Sequence, residues 1–225
     1  MPSVLYLHGF ASGPQSSKGI FFQQRFAARG ITVDLPDLSG GDFEHITITS
    51  QLEIIDRQVR ERRPLAVIGS SLGGYLAALY AARHPGVFHA LVLLAPGFGF
   101  ARRWPPSLGQ EALALWRERG WIEIYHYVLK RPCRLGYQIV EDGLGYEDYP
   151  EVVDPTLIIH GARDETVDPR YSKEFAANRP NIDLHLLDSD HQLLDVLDEI
   201  WNLVDGFLGA SPVAGCNLGL LPGGD

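Results

Sequence analysis

The sequence predicts an α/β fold in which helices cover both faces of a mostly parallel sheet of about six strands. Short apolar runs alternate with stretches whose apolar residues recur at helical spacing, a pattern typical of strands joined by crossover helices. A chain of 225 residues is long enough to bury one sizeable core. The predicted strands span residues 3–8, 31–36, 65–70, 90–96, 156–161 and 182–188.

Helices are predicted between these strands. They cover residues 17–30, 50–64, 72–85, 168–178 and 191–208. Ser50 and Glu53 have the spacing of a capping box at the start of the second helix, and Asp168 followed by Pro169 is a typical helix beginning. The third helix is apolar almost all round, which indicates that it is buried. This order of elements predicts one domain over residues 1–208.

Residues 97–152 interrupt the alternation of strands and helices. The segment 107–129 within them is rich in aromatic residues and is predicted to be helical. Because ligands of open α/β sheets bind beyond the carboxyl ends of the strands, we expect the insertion to form a helical cap over a site. A helix pair that only completes the core is the alternative. Residues 209–225 are rich in glycine and proline and are predicted to form a poorly ordered tail.

Composition and charge argue against several classes of partner. The net charge of -9 disfavours nucleic acid, since phosphate contacts need a basic surface. No apolar run approaches the roughly 18 to 20 residues of a membrane span, and the first residues lack the features of a secretory signal. Two distant cysteines and eight scattered histidines predict no disulfide framework and no metal site. We expect a cytoplasmic protein that acts on a small molecule without a cofactor.

Two adjacent serines, Ser70 and Ser71, follow the third predicted strand in the segment AVIGSSLGGYLAALYAA. Only Ser71 has glycines two residues before and two residues after it, in the pattern G-x-S-x-G. This pattern is typical of a nucleophile elbow, a sharp strand-to-helix turn that presents a serine at the carboxyl edge of the sheet. We therefore predict that Ser71 is a nucleophile and that Ser70 is structural. A small-residue turn needed only for packing is the alternative.

A serine nucleophile needs a base and a carboxylate, and both follow it in the expected chain order. His191 comes after the last predicted strand and is the predicted base. The carboxylate candidates are Asp164, Glu165, Asp168, Asp188 and Asp190. We predict that Asp164 orients His191, because its loop is expected to lie beside the point where His191 emerges. Asp168 is better explained as a helix cap.

Acyl transfer also needs N–H donors for the oxyanion that forms on the attacked carbonyl group. The usual sources are the residue after the nucleophile, here Leu72, and a residue in the loop after an early strand. Gly9 allows the loop after the first strand to approach closely, which points to the N–H of Phe10. His8 precedes Ser71 in the chain, so we expect it to hydrogen-bond within this loop rather than to serve as the base.

Four segments resemble the motif blocks of the α/β-hydrolase superfamily: YLHGFASGPQSSKG, GSSLGGYLAALYA, HGARDETVD and DSDHQLL. The first two are similar to small bacterial esterases of the YqiA type. The resemblance covers residues 3–208 and is weakest over 97–152. It implies an α/β-hydrolase fold that lacks the first two strands of the eight-stranded family sheet. It also implies carboxylic-ester hydrolysis with Ser71, Asp164 and His191 as a catalytic triad.

The sequence thus predicts a serine hydrolase that cleaves an ester through an acyl-enzyme. A thioesterase, an amidase or peptidase, and a C–C bond hydrolase use the same three residues and stay open, as does a non-catalytic binding protein of this fold. Aromatic residues of the insertion could line an acyl pocket or belong to the core. They are Phe98, Phe100, Trp104, Trp116, Trp121 and Tyr125.

Overall fold

The computed structural model describes residues 3–210, in which six parallel strands form one sheet. The strands of the chain are β1 (Ser3–Leu7), β2 (Thr32–Asp34), β3 (Ala66–Ser70), β4 (Ala90–Leu94), β5 (Trp121–His126), β6 (Arg131–Gly136), β7 (Thr156–Gly161) and β8 (Ile182–Leu187). The order in the main sheet is β2-β1-β3-β4-β7-β8, and β5 pairs with β6 in a separate hairpin. The six predicted strands are confirmed, each at or within its predicted limits.

Helices cover both faces of the sheet. They are α1 (Ser17–Ala27), α2 (Ile48–Arg62), α3 (Leu72–Arg83), α4 (Phe100–Arg103), α5 (Gln110–Arg119), α6 (Gln138–Gly143), α7 (Arg170–Ala176) and α8 (Leu197–Ala210). Val4 and Tyr6 of β1 belong to the core with α1 and α8, whereas Leu5 and Leu7 belong to the core with α2, α3 and α7. Successive strand residues therefore serve opposite cores, as expected of a sheet covered on both faces. No helix of residues 3–210 has the length and apolar character needed to cross a bilayer.

The start of α2 differs from the prediction. Thr47, not Ser50, is the N-cap residue: its hydroxyl accepts the N–H of Ser50 at 2.9 Å. In return the Ser50 hydroxyl accepts the N–H of Thr47 at 2.9 Å, which completes a capping box one turn earlier than predicted. The predicted box of Ser50 and Glu53 was therefore wrong, and Glu53 is exposed on the second turn.

The insertion is not entirely helical, and the helix predicted to run through residue 129 was wrong. α5 ends at Arg119, and its C-cap residue Gly120 has a φ of 84°, a left-handed conformation that suits glycine. The chain then turns into the antiparallel hairpin of β5 and β6. Ile122 and Ile124 alternate with the exposed Glu123, and this period of two is typical of a half-buried strand.

The last helix begins later than predicted. His191 lies in a loop after β8, and a short 3-10 turn over Leu194–Val196 separates this loop from α8. Leu193 has a positive φ of 56°, which breaks the helix that the apolar spacing predicts from residue 191. Residues 211–225, most of the predicted tail, lie outside the described residues, and residues 209 and 210 complete α8.

The turn between β3 and α3 brings backbone segments into direct contact. A Cβ atom on Gly73 would lie 2.2 Å from the carbonyl oxygen of Leu7, and one on Gly69 would lie 2.4 Å from the carbonyl oxygen of Gly73. Real Cβ contacts essentially never fall below 3.0 Å. Both glycines of G-x-S-x-G are therefore required on steric grounds, and α3 rests directly on the ends of β1 and β3.

We expect Gly73→Ala to lower the free energy of unfolding by about 2 to 4 kcal/mol, because the added methyl group must displace backbone rather than a flexible side chain. Gly206→Ala is the matched control, since Gly206 lies in α8 with nothing within 4 Å of the added carbon. That change is expected to raise the free energy of unfolding by about 0.5 to 1 kcal/mol. Urea titration of both variants measures the difference; equal effects would contradict the close approach of α3.

Candidate active site

The predicted site residues lie in loops that leave the carboxyl ends of four strands. Phe10 follows β1, Ser71 follows β3, Asp164 follows β7 and His191 follows β8. These strands are parallel members of one sheet, so their carboxyl ends meet at the same edge. The fold therefore brings together residues that are far apart along the chain.

Ser71 has a backbone conformation that residues with a side chain rarely adopt, with φ 54° and ψ -118°. Hydrogen bonds on both sides hold it there. Its N–H donates to the carbonyl of Leu94 at 2.8 Å, and its own carbonyl accepts the N–H groups of Gly74 and Gly97, each at 2.9 Å. This strained and well-supported turn between a strand and a helix is typical of a nucleophile elbow.

A chain of hydrogen bonds connects Ser71, His191 and Asp164. The Oγ of Ser71 lies 3.1 Å from Nε2 of His191, and Nδ1 of His191 lies 2.7 Å from Oδ2 of Asp164. A carboxylate can only accept, so Nδ1 carries the proton and Nε2 presents its lone pair to the hydroxyl of Ser71. This is the tautomer that a base acting on Ser71 requires.

Asp164 is an ionised carboxylate in the interior. Its side chain is fully buried, and burial by itself would raise its pKa. Hydrogen bonds from His160 and His191 to Oδ2, and from the N–H groups of Thr166 and Val167 to Oδ1, outweigh this effect. They hold the pKa of Asp164 well below its usual range. The negative charge beside His191 is therefore kept at any pH near neutrality.

His160 is a site residue that the sequence reasoning missed. Its ring is fully buried, and Nε2 lies 3.0 Å from Oδ2 of Asp164 and 2.9 Å from the carbonyl of Val167. Both partners are acceptors, so Nε2 donates, and Nδ1 lies 2.7 Å from the hydroxyl of Ser172. The available signal was the spacing of four residues between His160 and Asp164 across the end of β7.

The other candidate carboxylates have different partners. Asp168 accepts the N–H of Arg170 at 2.9 Å beside the start of α7, but Pro169 and not Asp168 is the N-cap residue, so the predicted cap was placed one residue too early. Asp188 forms an exposed ion pair with Arg163, and Asp190 accepts the N–H groups of the two residues after His191. Glu165 is exposed. In the described chain none of these four hydrogen-bonds to the imidazole of His191, whereas Asp164 does.

The loop that carries His191 is tied to the first helix. Nζ of Lys18 donates to the carbonyl of Gln192 at 2.6 Å. Burial lowers the pKa of Lys18 to about 8, while the charges of Asp190 and Asp164 act in the opposite direction. This contact connects α1 to the residue that follows His191.

The loop after β1 passes directly beside Ser71. A Cβ atom on Gly9 would lie 3.3 Å from Cβ of Ser71, and one on Gly97 would lie 3.5 Å from the backbone nitrogen of Leu72. Among the described residues, neither the N–H of Phe10 nor that of Leu72 donates a hydrogen bond. Both groups therefore keep an unused capacity to donate a hydrogen bond.

His8 shapes this loop, as expected. Its Nε2 accepts the N–H of Leu38 at 3.1 Å, and its Nδ1 donates to the carbonyl of Gly9 at 2.9 Å. Burial lowers the pKa of His8. Both ring nitrogens are occupied by backbone groups, which fixes the backbone next to Ser71.

The six aromatic residues considered for an acyl pocket fall into three groups. Phe100 stacks on Trp104 with ring centres 5.2 Å apart, and Trp104 meets the fully buried Trp116 edge to face at 5.7 Å. Phe10 joins this cluster through Phe100 and Trp104, at 5.2 Å and 4.8 Å.

The remaining three aromatic residues lie elsewhere. Phe98 stacks on Phe175 of α7 at 4.1 Å and belongs to a second aromatic cluster. Trp121 and Tyr125 lie on β5, where Tyr125 is exposed. Three of the six residues thus assemble beside Phe10, and the pocket itself stays a prediction.

Solved structures with this arrangement of strands and helices include α/β hydrolases. Est1E from Butyrivibrio proteoclasticus, with ferulic acid bound, matches at a TM-score of 0.79 over 94% of this chain and 89% of that chain, with 20% identity. The α/β hydrolase domain-containing protein 10 from mouse matches at 0.73 over 92% and 90%, also with 20% identity. The chain therefore has the α/β-hydrolase fold that its motifs imply.

The chain belongs to the uncharacterised protein family UPF0227, whose model matches residues 3–208. It is also similar to monoacylglycerol lipases: abhd6-B of Xenopus laevis is 30% identical over 105 residues, and ABHD6 of Mus musculus is 29% identical over 105 residues. Each match covers 42% of this chain and 30% of the lipase, so the alignment spans less than a third of these curated relatives.

We expect Asp164→Asn to reduce stability at pH 7 by about 2 kcal/mol, because an amide has one acceptor oxygen in place of two. Either the two imidazoles or the two backbone N–H groups would then face an NH2 group. The depressed pKa of Asp164 contributes stability that is present above the unfolded value of about 3.9 and is lost as the pH falls. The difference in the free energy of unfolding between wild type and Asp164→Asn should therefore be about 1 kcal/mol smaller at pH 3 than at pH 7. Urea unfolding between pH 7 and pH 3 measures it.

Glu165→Gln is the matched control, since this neighbouring carboxylate is exposed. Its stability should stay within about 0.5 kcal/mol of wild type at every pH. If the effect of Asp164→Asn were independent of pH, the description of Asp164 as an ionised, hydrogen-bonded carboxylate would be wrong.

Proposed function

We propose that the protein is a serine hydrolase that cleaves carboxylic esters, with Ser71, His191 and Asp164 as its catalytic triad. The observation that carries the proposal is the hydrogen-bond chain from the hydroxyl of Ser71 through both ring nitrogens of His191 to the buried carboxylate of Asp164. A serine hydroxyl is a weak nucleophile until a base takes its proton, and Nε2 of His191 is within reach to do so.

In the first half of the reaction, Oγ of Ser71 attacks the ester carbonyl carbon while Nε2 of His191 takes the hydroxyl proton. The carbonyl π electrons move to the oxygen, and the N–H groups of Phe10 and Leu72 stabilise the resulting oxyanion. The tetrahedral intermediate then collapses, and His191 gives its proton to the departing alcohol. Asp164 stabilises the imidazolium that exists between these two proton transfers.

In the second half, water repeats the attack on the acyl-enzyme. His191 removes a proton from the water, the new oxyanion uses the same two N–H groups, and the proton passes to Oγ as the acid leaves. The strained conformation of Ser71 keeps its hydroxyl in front of these donors in both halves without further rearrangement.

An ester is the substrate class that best fits the relatives. The similar proteins named above are monoacylglycerol lipases, and Est1E was solved with the aromatic acid ferulic acid bound. A thioester or an amide would meet the same three residues, so the leaving group has to be determined by experiment. Cofactors have no role in the proposed reaction, since all proton transfers run through His191.

Ser71→Ala should lower kcat/KM for p-nitrophenyl butyrate by at least about 10⁴-fold, because the acyl-enzyme can no longer form. Ser70→Ala is the matched control: its buried hydroxyl contacts Tyr6 rather than His191, and activity should stay within about tenfold of wild type. A fluorophosphonate probe should label wild type and Ser70→Ala, and leave Ser71→Ala unlabelled. Ester hydrolysis retained by a folded Ser71→Ala protein would refute the nucleophile assignment.

The leaving-group preference is tested with substrates that share one acyl chain. We expect kcat/KM for the p-nitrophenyl ester to exceed that for the p-nitroanilide by at least about 100-fold, because an amine leaves only after full proton transfer from His191. A thioester of the same acid completes the set. Faster cleavage of the thioester or anilide would replace the ester assignment with a thioesterase or an amidase.

A further inference from the structure

The hairpin of the insertion exposes apolar and aromatic side chains at its tip. Tyr127 is 67% exposed, and Tyr125 and Leu129 are each 51% exposed. The rings of Tyr125 and Tyr127 contact each other with centres 5.7 Å apart. Three large apolar residues within five positions are thus mostly exposed, and exposed apolar residues grouped in this way mark interaction sites.

Basic side chains lie at both ends of the hairpin. The guanidinium groups of Arg119 and Arg134 lie over the ring of Trp121 at 4.6 Å and 4.2 Å, and Lys130 and Arg131 are exposed beside Leu129. The segment 119–134 contains four basic residues and one acidic residue, although the whole chain has a net charge of -9. The hairpin is thus a positively charged part of an acidic protein.

We propose that this hairpin patch, comprising Trp121, Tyr125, Tyr127, Leu129, Lys130, Arg131 and Arg134, docks on an anionic lipid surface. Tyr and Trp are the side chains that sit best between headgroups and acyl chains, because their rings are apolar and their tips are polar. Lys and Arg are attracted to anionic headgroups and keep their charges in water while their stems lie on apolar surface. The patch combines both features in one short element.

The hairpin packs on the loop after β1, so a membrane bound to the hairpin would lie close to the candidate active site. The opposite side of the hairpin rests on this loop: the N–H of Tyr127 donates to the carbonyl of Ala11 at 2.9 Å. His126 packs edge to face on Phe43 at 5.0 Å, and Phe43 contacts Phe10 at 5.8 Å. A lipid surface bound to the patch would therefore be separated from the loop beside Ser71 only by the hairpin itself.

A second copy of the chain is a poorer occupant of the patch. Two patches facing each other would bring Lys130, Arg131 and Arg134 of both copies together, and Glu123 is the one acidic residue of the hairpin available to oppose them. Like charges in contact destabilise an interface, whereas an anionic bilayer offers a charge complementary to Lys130, Arg131 and Arg134.

The test is co-sedimentation of the full chain with vesicles and does not depend on turnover. Wild type should bind vesicles of equal phosphatidylglycerol and phosphatidylcholine at least tenfold more tightly than vesicles of phosphatidylcholine alone. Raising the salt from about 0.05 M to 0.5 M should weaken the binding. Lys130→Glu with Arg131→Glu, and separately Tyr127→Ser with Leu129→Ser, should each reduce binding at least fivefold.

Matched controls separate the patch from general properties of the chain. Arg57→Glu with Arg60→Glu makes the same change of net charge on the exposed side of α2, and Val153→Ser with Leu194→Ser removes exposed apolar residues elsewhere. Both should bind within twofold of wild type, and circular dichroism confirms that each variant is folded. Three results would overturn the proposal. They are the absence of a preference for anionic vesicles, an equal loss of vesicle binding in the control variants, and a dimer in gel filtration that becomes a monomer only in the patch variants.

Discussion

The contact between the start of α3 and the ends of β1 and β3 is the constraint on which the site depends. A carbon atom added at Gly69 or Gly73 would overlap backbone atoms, so these segments approach as closely as polypeptide chains can. The close approach forces Ser71 into its strained conformation and sets the loop of Gly9 against it. Strain of this kind costs about 1 to 3 kcal/mol and persists only where surrounding hydrogen bonds over-determine it, as those to Leu94 and Gly97 do here.

The second constraint is a buried negative charge. Taking the carboxylate of Asp164 out of water costs several kcal/mol unless donors replace its hydration, and four of them do. Two imidazoles share Oδ2, and the hydroxyl of Ser172 in turn occupies the far nitrogen of His160. The orientation of His191 is therefore set by a network that extends from the end of β7 to α7.

The parts of the molecule that could be predicted from the sequence are those whose signals are local. Each strand of the main sheet is an apolar run bounded by turn residues, and Ser71 is marked by two glycines at fixed spacing. Gly120 and the alternation of Ile122 and Ile124 are local signals of the hairpin, but the apolar residues after Gly120 also fit the helical spacing of α5. His160 was missed for another reason: its role exists only once β7, its loop and α7 are folded together.

The insertion and the site are coupled through one aromatic side chain. The N–H of Phe10 donates no hydrogen bond among the described residues, and the ring of Phe10 packs against Phe100 and Trp104 of the insertion. A displacement of those rings must therefore move the backbone of Phe10 or open a gap beside it, and densely packed interiors transmit such shifts rather than absorb them. Trp104 in turn contacts Trp116, whose Nε1 donates to the carbonyl of Leu135 on β6 at 3.0 Å. The geometry in front of Ser71 thus depends on side chains that do not need to touch a substrate.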